Sequence, residues 1–138
     1  MDAATLAEIE AIKQLKARYF RTIDTKDWDG FGALFTDDAT LDASADAGHV
    51  FHGRDEIVQR VREALRDATT VHHGHTPEID LTGPASARGI WAMYDYVELP
   101  RLVLHGYGHY HEEYAKQDGD WRIRASRLVR IRRDVTRR

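Results

Sequence analysis

The 138-residue sequence contains no cysteine, so a disulfide framework and a thiolate metal site are both excluded. It also lacks any apolar run near the ~20 residues that cross a bilayer as a helix. The segment from Met1 to Glu10 does not show the basic-then-apolar layout of a secretion signal. The expected compartment is therefore the cytoplasm, with no membrane partner. No excess of positive charge is present: the formal net charge is −3, which speaks against nucleic acid as a partner. The basic C-terminal run (Arg122, Arg124, Arg127, Arg130, Arg132, Arg133, Arg137 and Arg138) reads as a solvated strand face and tail. Repeats, low-complexity tracts and Pro/Gly/Ser linkers are missing as well, so residues 1–138 are expected to form one domain.

What is present is an ordinary globular balance, 42% hydrophobic and 31% charged residues. Ile9, Ile12, Leu15, Tyr19 and Ile23 recur at steps of three and four, one stripe of a long helix. Asp27 to Gly30 breaks it, and a short second helix is expected over 31–35. Thr36-Asp37-Asp38 reads as a turn leading to a strand near 40–43. Ile57, Val61 and Leu65 predict a helix over 55–65. From Thr69 the period changes to two, predicting strands over 70–81, 85–98, 102–116 and 121–131. Gln117-Asp118-Gly119-Asp120 reads as a hairpin turn. Helices followed by a meander indicate an α+β fold, with the helices on one face of a curved antiparallel sheet.

Several residues could carry chemistry. Strand alternation puts Trp91, Met93 and Asp95 on one face. A carboxylate among such neighbours either finds a donor or favours its neutral form. Tyr19 and Asp24 lie on the first helix, about 140° apart around its axis. Both reach one cavity only if the helix crosses a broad mouth or frays near Asp24. His72, His73 and His75 cluster at a strand start, but His72 and His73 point to opposite faces unless a bulge at Gly74 intervenes. With no further ligands in a recognisable pattern, no metal site is expected. His105, Tyr107, His109, His111 and Glu113 share one strand face, best read as a polar outer face or a subunit interface. Tyr110, Glu112 and Tyr114 share the other.

Taken in order, these segments resemble the SnoaL-like domain of the nuclear-transport-factor-2-like superfamily over nearly the whole chain. The matching stretches are residues 19–28, 34–39, 51–57, 71–75, 87–93, 110–114 and 118–123. The resemblance implies a cone: a strongly curved antiparallel sheet wrapped by N-terminal helices around a pocket. Relatives include cofactor-free lyases and isomerases such as scytalone dehydratase, bile-acid 7α-dehydratase and hexachlorocyclohexane dehydrochlorinase.

The resemblance therefore implies a dehydratase-like lyase or isomerase without a cofactor, acting on a hydrophobic cyclic small molecule. A non-catalytic binding module, an epoxide hydrolase and a polyketide cyclase are the alternatives on the same fold. Tyr19, Asp24, His72 and Asp95 fall where these enzymes keep catalytic residues. His72 would be the acid/base held by Asp24, Tyr19 a hydrogen-bond donor, and Asp95 a partly protonated helper. Where Tyr19 stands, the dehydrochlorinase has a lysine, which argues against dehydrochlorination. An arginine from the last strand completes the site. Arg127, on the alternating face of Trp121 and Val129, is the candidate, with Arg130 the alternative. Phe20, Trp91, Met93 and Tyr110 would line the substrate pocket. A homodimer or homotrimer is expected, with Tyr94, Tyr96, Tyr107 and His109 as a pairing surface.

Overall fold

The computed structural model describes residues 1–138, Ala47 by its backbone alone. The apolar stripe forms α1 (Ala3–Asp24), which starts where the Asp2 side chain accepts a hydrogen bond from the backbone N–H of Thr5. The second helix begins earlier than the sequence suggests: α2 is Trp28–Gly32, capped by the Asp27 carboxylate at Gly30. Phe35 then enters β1 (Phe35–Asp42), so Thr36 to Asp38 lie in a strand and not in a turn. The reason is tertiary. Phe35 pairs with Ile123 and Thr40 with Ala125, and Thr36 to Asp38 span the irregularity between those pairs.

Two elements have no sequence signal: α3 (Ser44–Ala47) and β2 (Val50–His52). They precede α4 (Arg54–Ala64) and four long strands: β3 (Thr69–Gly83), β4 (Ser86–Leu99), β5 (Leu102–Gln117) and β6 (Asp120–Arg137). The six strands form one curved sheet in the order β2-β1-β6-β5-β4-β3. All neighbours are antiparallel except β1 and β6, which run parallel, so the sheet is mixed. The β5–β6 hairpin turns on Asp118 and Gly119, both at positive φ (52° and 84°), as a two-residue turn of the primed kind requires.

The helices cover the inner face of the sheet. Ile12, Leu15, Tyr19 and Ile23 of α1 meet Phe31, Phe35, Ile57, Tyr114 and Ile123 in the main core. Glu8 ties the start of α1 to the far hairpin, accepting from Lys116 Nζ and Trp121 Nε1. The opposite half of the sheet, beyond Tyr110, is left for a cavity.

One irregularity decides which side chains face that cavity. On β6, Arg124 is an extra residue: Tyr114 pairs with Ile123 while Glu113 pairs with Ala125. A one-residue insertion exchanges the two faces of a strand. Before it, Trp121 and Ile123 point inward; after it, Ser126, Leu128 and Arg130 do. Arg127 is thereby turned outward.

Candidate active site

A cavity of about 210 Å³ lies between the end of α1, α3, α4 and the inner sheet face. Tyr19, His72, Asp95, Tyr110, Ser126 and Arg130, together with Asp42, Asp46 and Arg60, supply its polar wall. Leu41, Phe51, Val61, Leu65 and Leu128 supply an apolar one.

Asp24 is the last residue of α1, and the helix reaches it without fraying. A carboxylate there opposes the helix dipole, but three donors from β3 compensate it. Thr70 Oγ1 donates at 2.9 Å and the backbone N–H of His72 at 2.9 Å. Oδ1 lies 2.7 Å from His72 Nδ1. Since a carboxylate accepts, the imidazole proton belongs on Nδ1, which leaves Nε2 as the free nitrogen. Asp24 itself does not line the cavity; it acts there only through His72. This is how two α1 residues about 140° apart serve one site.

His72 and Asp95 are register partners on β3 and β4, so both point inward. The neighbouring His73 points outward towards Tyr94, and the two irregularities in β3 fall between His75 and Glu78 and between Leu81 and Gly83, not at Gly74. Gly74 instead makes room for the Phe20 ring, which a Cβ would strike.

Asp95 is not left among apolar groups as the alternation suggests. Arg130 Nη1 and Nη2 donate to its two oxygens at 2.9 and 3.0 Å. Gly106, opposite Asp95 on β5, makes this possible, because a Cβ there would collide with both partners. The carboxylate is thus committed to holding a guanidinium, a different part from the partly protonated helper expected of it. Asp46 of α3 takes the remaining edge, Nε and Nη2 donating to it at 2.7 and 2.9 Å. Burial alone would weaken Arg130's hold on its proton, but these two acids raise it above the ordinary arginine value.

Of the remaining expected residues, Tyr19 and Tyr110 are at the cavity wall. Both side chains can therefore meet a ligand there. Burial, with Glu112, Asp95 and Asp24 adding to it, pushes the Tyr19 phenol well above its usual value, so it stays a donor. Phe20, Trp91 and Met93 pack against Tyr110 from behind and do not line the cavity. Arg127 is exposed on the outer face beside His111 and Arg88, for the reason given by the bulge.

Sequence reasoning missed Lys16 altogether. Its ammonium is fully buried, 2.8 Å from Glu112 Oε2 and 3.7 and 3.8 Å from the Tyr19 and Tyr110 ring centroids. Burial lowers its pKa and Glu112 opposes that shift. Glu112 also accepts from Tyr114 Oη at 2.8 Å and Ser126 Oγ at 2.6 Å. A lysine among the stripe residues of α1 was the only available signal.

A helix-wrapped curved sheet with a half-polar cavity at one end is the architecture of the nuclear-transport-factor-2-like superfamily. Within it, the SnoaL-like domain family matches residues 4–127, and the chain belongs to that family. The chain is 26% identical over 133 residues to the probable cyclase FGR4 of Gibberella zeae, covering 87% of this chain and 89% of the relative. A candidate scytalone dehydratase from Novosphingobium aromaticivorans superposes with TM-score 0.89 at 21% identity, over 97% and 91% of the two chains. A type 2 hexachlorocyclohexane dehydrochlorinase gives 0.88 at 17%, over 99% and 93%. These two likenesses establish the fold alone. As for membranes, no helix among the described residues is long and apolar enough to cross one.

Proposed function

We propose that the protein is a cofactor-independent lyase or isomerase of the dehydratase kind, acting on a hydrophobic cyclic small molecule. The observation that carries this reading is an imidazole in a cavity wall whose Nδ1 is fixed by Asp24 at 2.7 Å. An oriented imidazole with one free nitrogen can act as a general base. In the reaction envisaged, His72 Nε2 takes a proton from a carbon next to a carbonyl. The C–H electron pair becomes the new C=C bond, the C–O bond at the β-carbon breaks, and the departing hydroxide takes the proton back from His72 and leaves as water. Asp24 stabilises the imidazolium in between. The Tyr19 hydroxyl donates to the carbonyl oxygen as negative charge collects there. Arg130, held in place by Asp95, presents a fixed guanidinium at the cavity wall.

The test is a panel of cyclic β-hydroxycarbonyl compounds, read by loss of water in mass spectrometry and by the absorbance of the conjugated product. His72→Ala should abolish turnover of any compound the wild type converts; full turnover by that variant ends the proposal. The fungal relative's name favours one second reading, a cyclase, in which the same carbanion attacks a carbonyl within the substrate. A product of unchanged mass with a new ring would select it. Oxygen from labelled water in the product would select an epoxide hydrolase, and a ligand recovered unaltered a binding module.

A second copy of the chain is proposed to cover the outer sheet face. The Tyr94 and Tyr107 rings lie there 5.4 Å apart, tilted to one another, and Val71, Val129, Ile131 and Val135 are exposed on the strands of the sheet. Light scattering that gives a monomer mass at micromolar concentration would refute this.

A further inference from the structure

Arg130 carries two carboxylates, and the two are held in different ways. Asp95 sits in the middle of β4, its side chain 5% exposed, in a space that only glycine at position 106 permits. It is a permanent partner. Asp46 stands on α3, a helix of four residues that packs chiefly on β6 and ends at Gly48 in the left-handed region (φ 72°). Its side chain is 32% exposed, and besides Arg130 its only other cation among the described residues is Arg133, at 4.0 Å. Short segments with few packing contacts open at low free-energy cost. Asp46 is therefore the exchangeable partner.

Arg130 borders the cavity, and so does Asp46, the residue that covers its Nε and Nη2 edge. Two carboxylates on one guanidinium leave one negative charge uncompensated, so the pair does not neutralise Arg130 more fully than Asp95 does alone. What Asp46 does supply is the two-oxygen, planar shape that a guanidinium edge binds best. The same cavity has an apolar side that includes Leu41, Phe51 and Leu128.

We propose that Asp46 stands in for a carboxylate of the substrate. A small apolar acid enters with its ring against the apolar wall, its carboxylate replaces that of Asp46 on Arg130, and α3 swings away as it does so. This names the substrate class of the cavity and rests on reading that cavity as a substrate site. It also gives α3 its role: the mouth is latched by a group that only an acid displaces. Neutral rings of the same shape gain nothing from the exchange.

The experiment compares benzoate with its near-isostere benzamide by calorimetry, in wild type and Asp46→Ala. If the latched form dominates by ten to one, the apparent affinity of an acid is reduced about tenfold. Asp46→Ala should therefore bind benzoate about tenfold more tightly than wild type, with benzamide unchanged. Amide exchange over residues 44–49 should rise when benzoate is added to wild type, and be raised in the variant from the start. Equal gains for both probes, an unchanged preference, benzoate binding without faster exchange, or no benzoate binding at millimolar concentration would each overturn the exchange. Binding is read without turnover. A chain that behaves as stated but converts nothing keeps this inference and loses the lyase, and a converting chain with no acid preference does the reverse.

Discussion

Asp24 and His72 meet at 2.7 Å although 48 positions separate them, because α1 ends where β3 begins to pair with β4. The contact joins a helix terminus to a strand interior, so both partners are anchored by backbone hydrogen bonds. Asp24→Asn keeps the size of the side chain and removes its charge. Turnover of a converted substrate is expected to fall roughly a hundredfold or more, with KM little changed, since Asp24 does not touch the cavity. Steady-state kinetics on a folded variant check this; an unaltered kcat would show the pair to be structural.

Arg130 and Arg127 differ by three positions and have opposite environments. Arg130→Met strands Asp95 in a buried site and should cost about 3 kcal/mol or more in urea unfolding. Arg127→Met, on the exposed face, should stay within about 0.5 kcal/mol. Equal effects would mean that the bulge at Arg124 does not set the facing of β6.

Lys16 and Glu112 behave as one unit, each with a fully buried side chain. Removing one charge leaves the other unpaired, so Lys16→Met or Glu112→Gln alone should destabilise by about 3–5 kcal/mol. The double variant should lose at least about 1 kcal/mol less than the sum. Additive losses in a double-mutant cycle would contradict the coupling.

Burial raises the phenol pKa of Tyr19, Tyr110 and Tyr114, in each case as the largest cause. An acid whose folded pKa lies above its unfolded value keeps its proton in the native state while the unfolded chain releases it. The unfolded state then binds fewer protons, so stability is full below pH ~10 and falls as the pH climbs beyond it. In an alkaline titration the last part of the tyrosinate absorbance should appear together with loss of circular dichroism. Ionisation of all six tyrosines before any unfolding would refute this.

Much of the architecture is legible in the sequence because it rests on local periodicity. The stripe on α1, the two-residue period from Thr69 onward and the Asp118-Gly119 turn each place an element to within a few residues. Asp24, His72 and Tyr19 are also legible, through resemblance and residue type. Element ends are less so. Phe35 was expected at the end of a helix and became a strand, because pairing with Ile123 outweighed the local pattern.

The linear sequence by itself determined the order of helices and strands and the identity of the acid/base candidates. Only the tertiary structure decided which arginine enters the cavity, since one inserted residue on β6 exchanges its faces and leaves no mark in composition. It also decided that Lys16 is buried against Glu112 and that Asp95 and Asp46 share a guanidinium. Each of these depends on charges brought together from distant elements, and a charge reveals its partner only once both have left water.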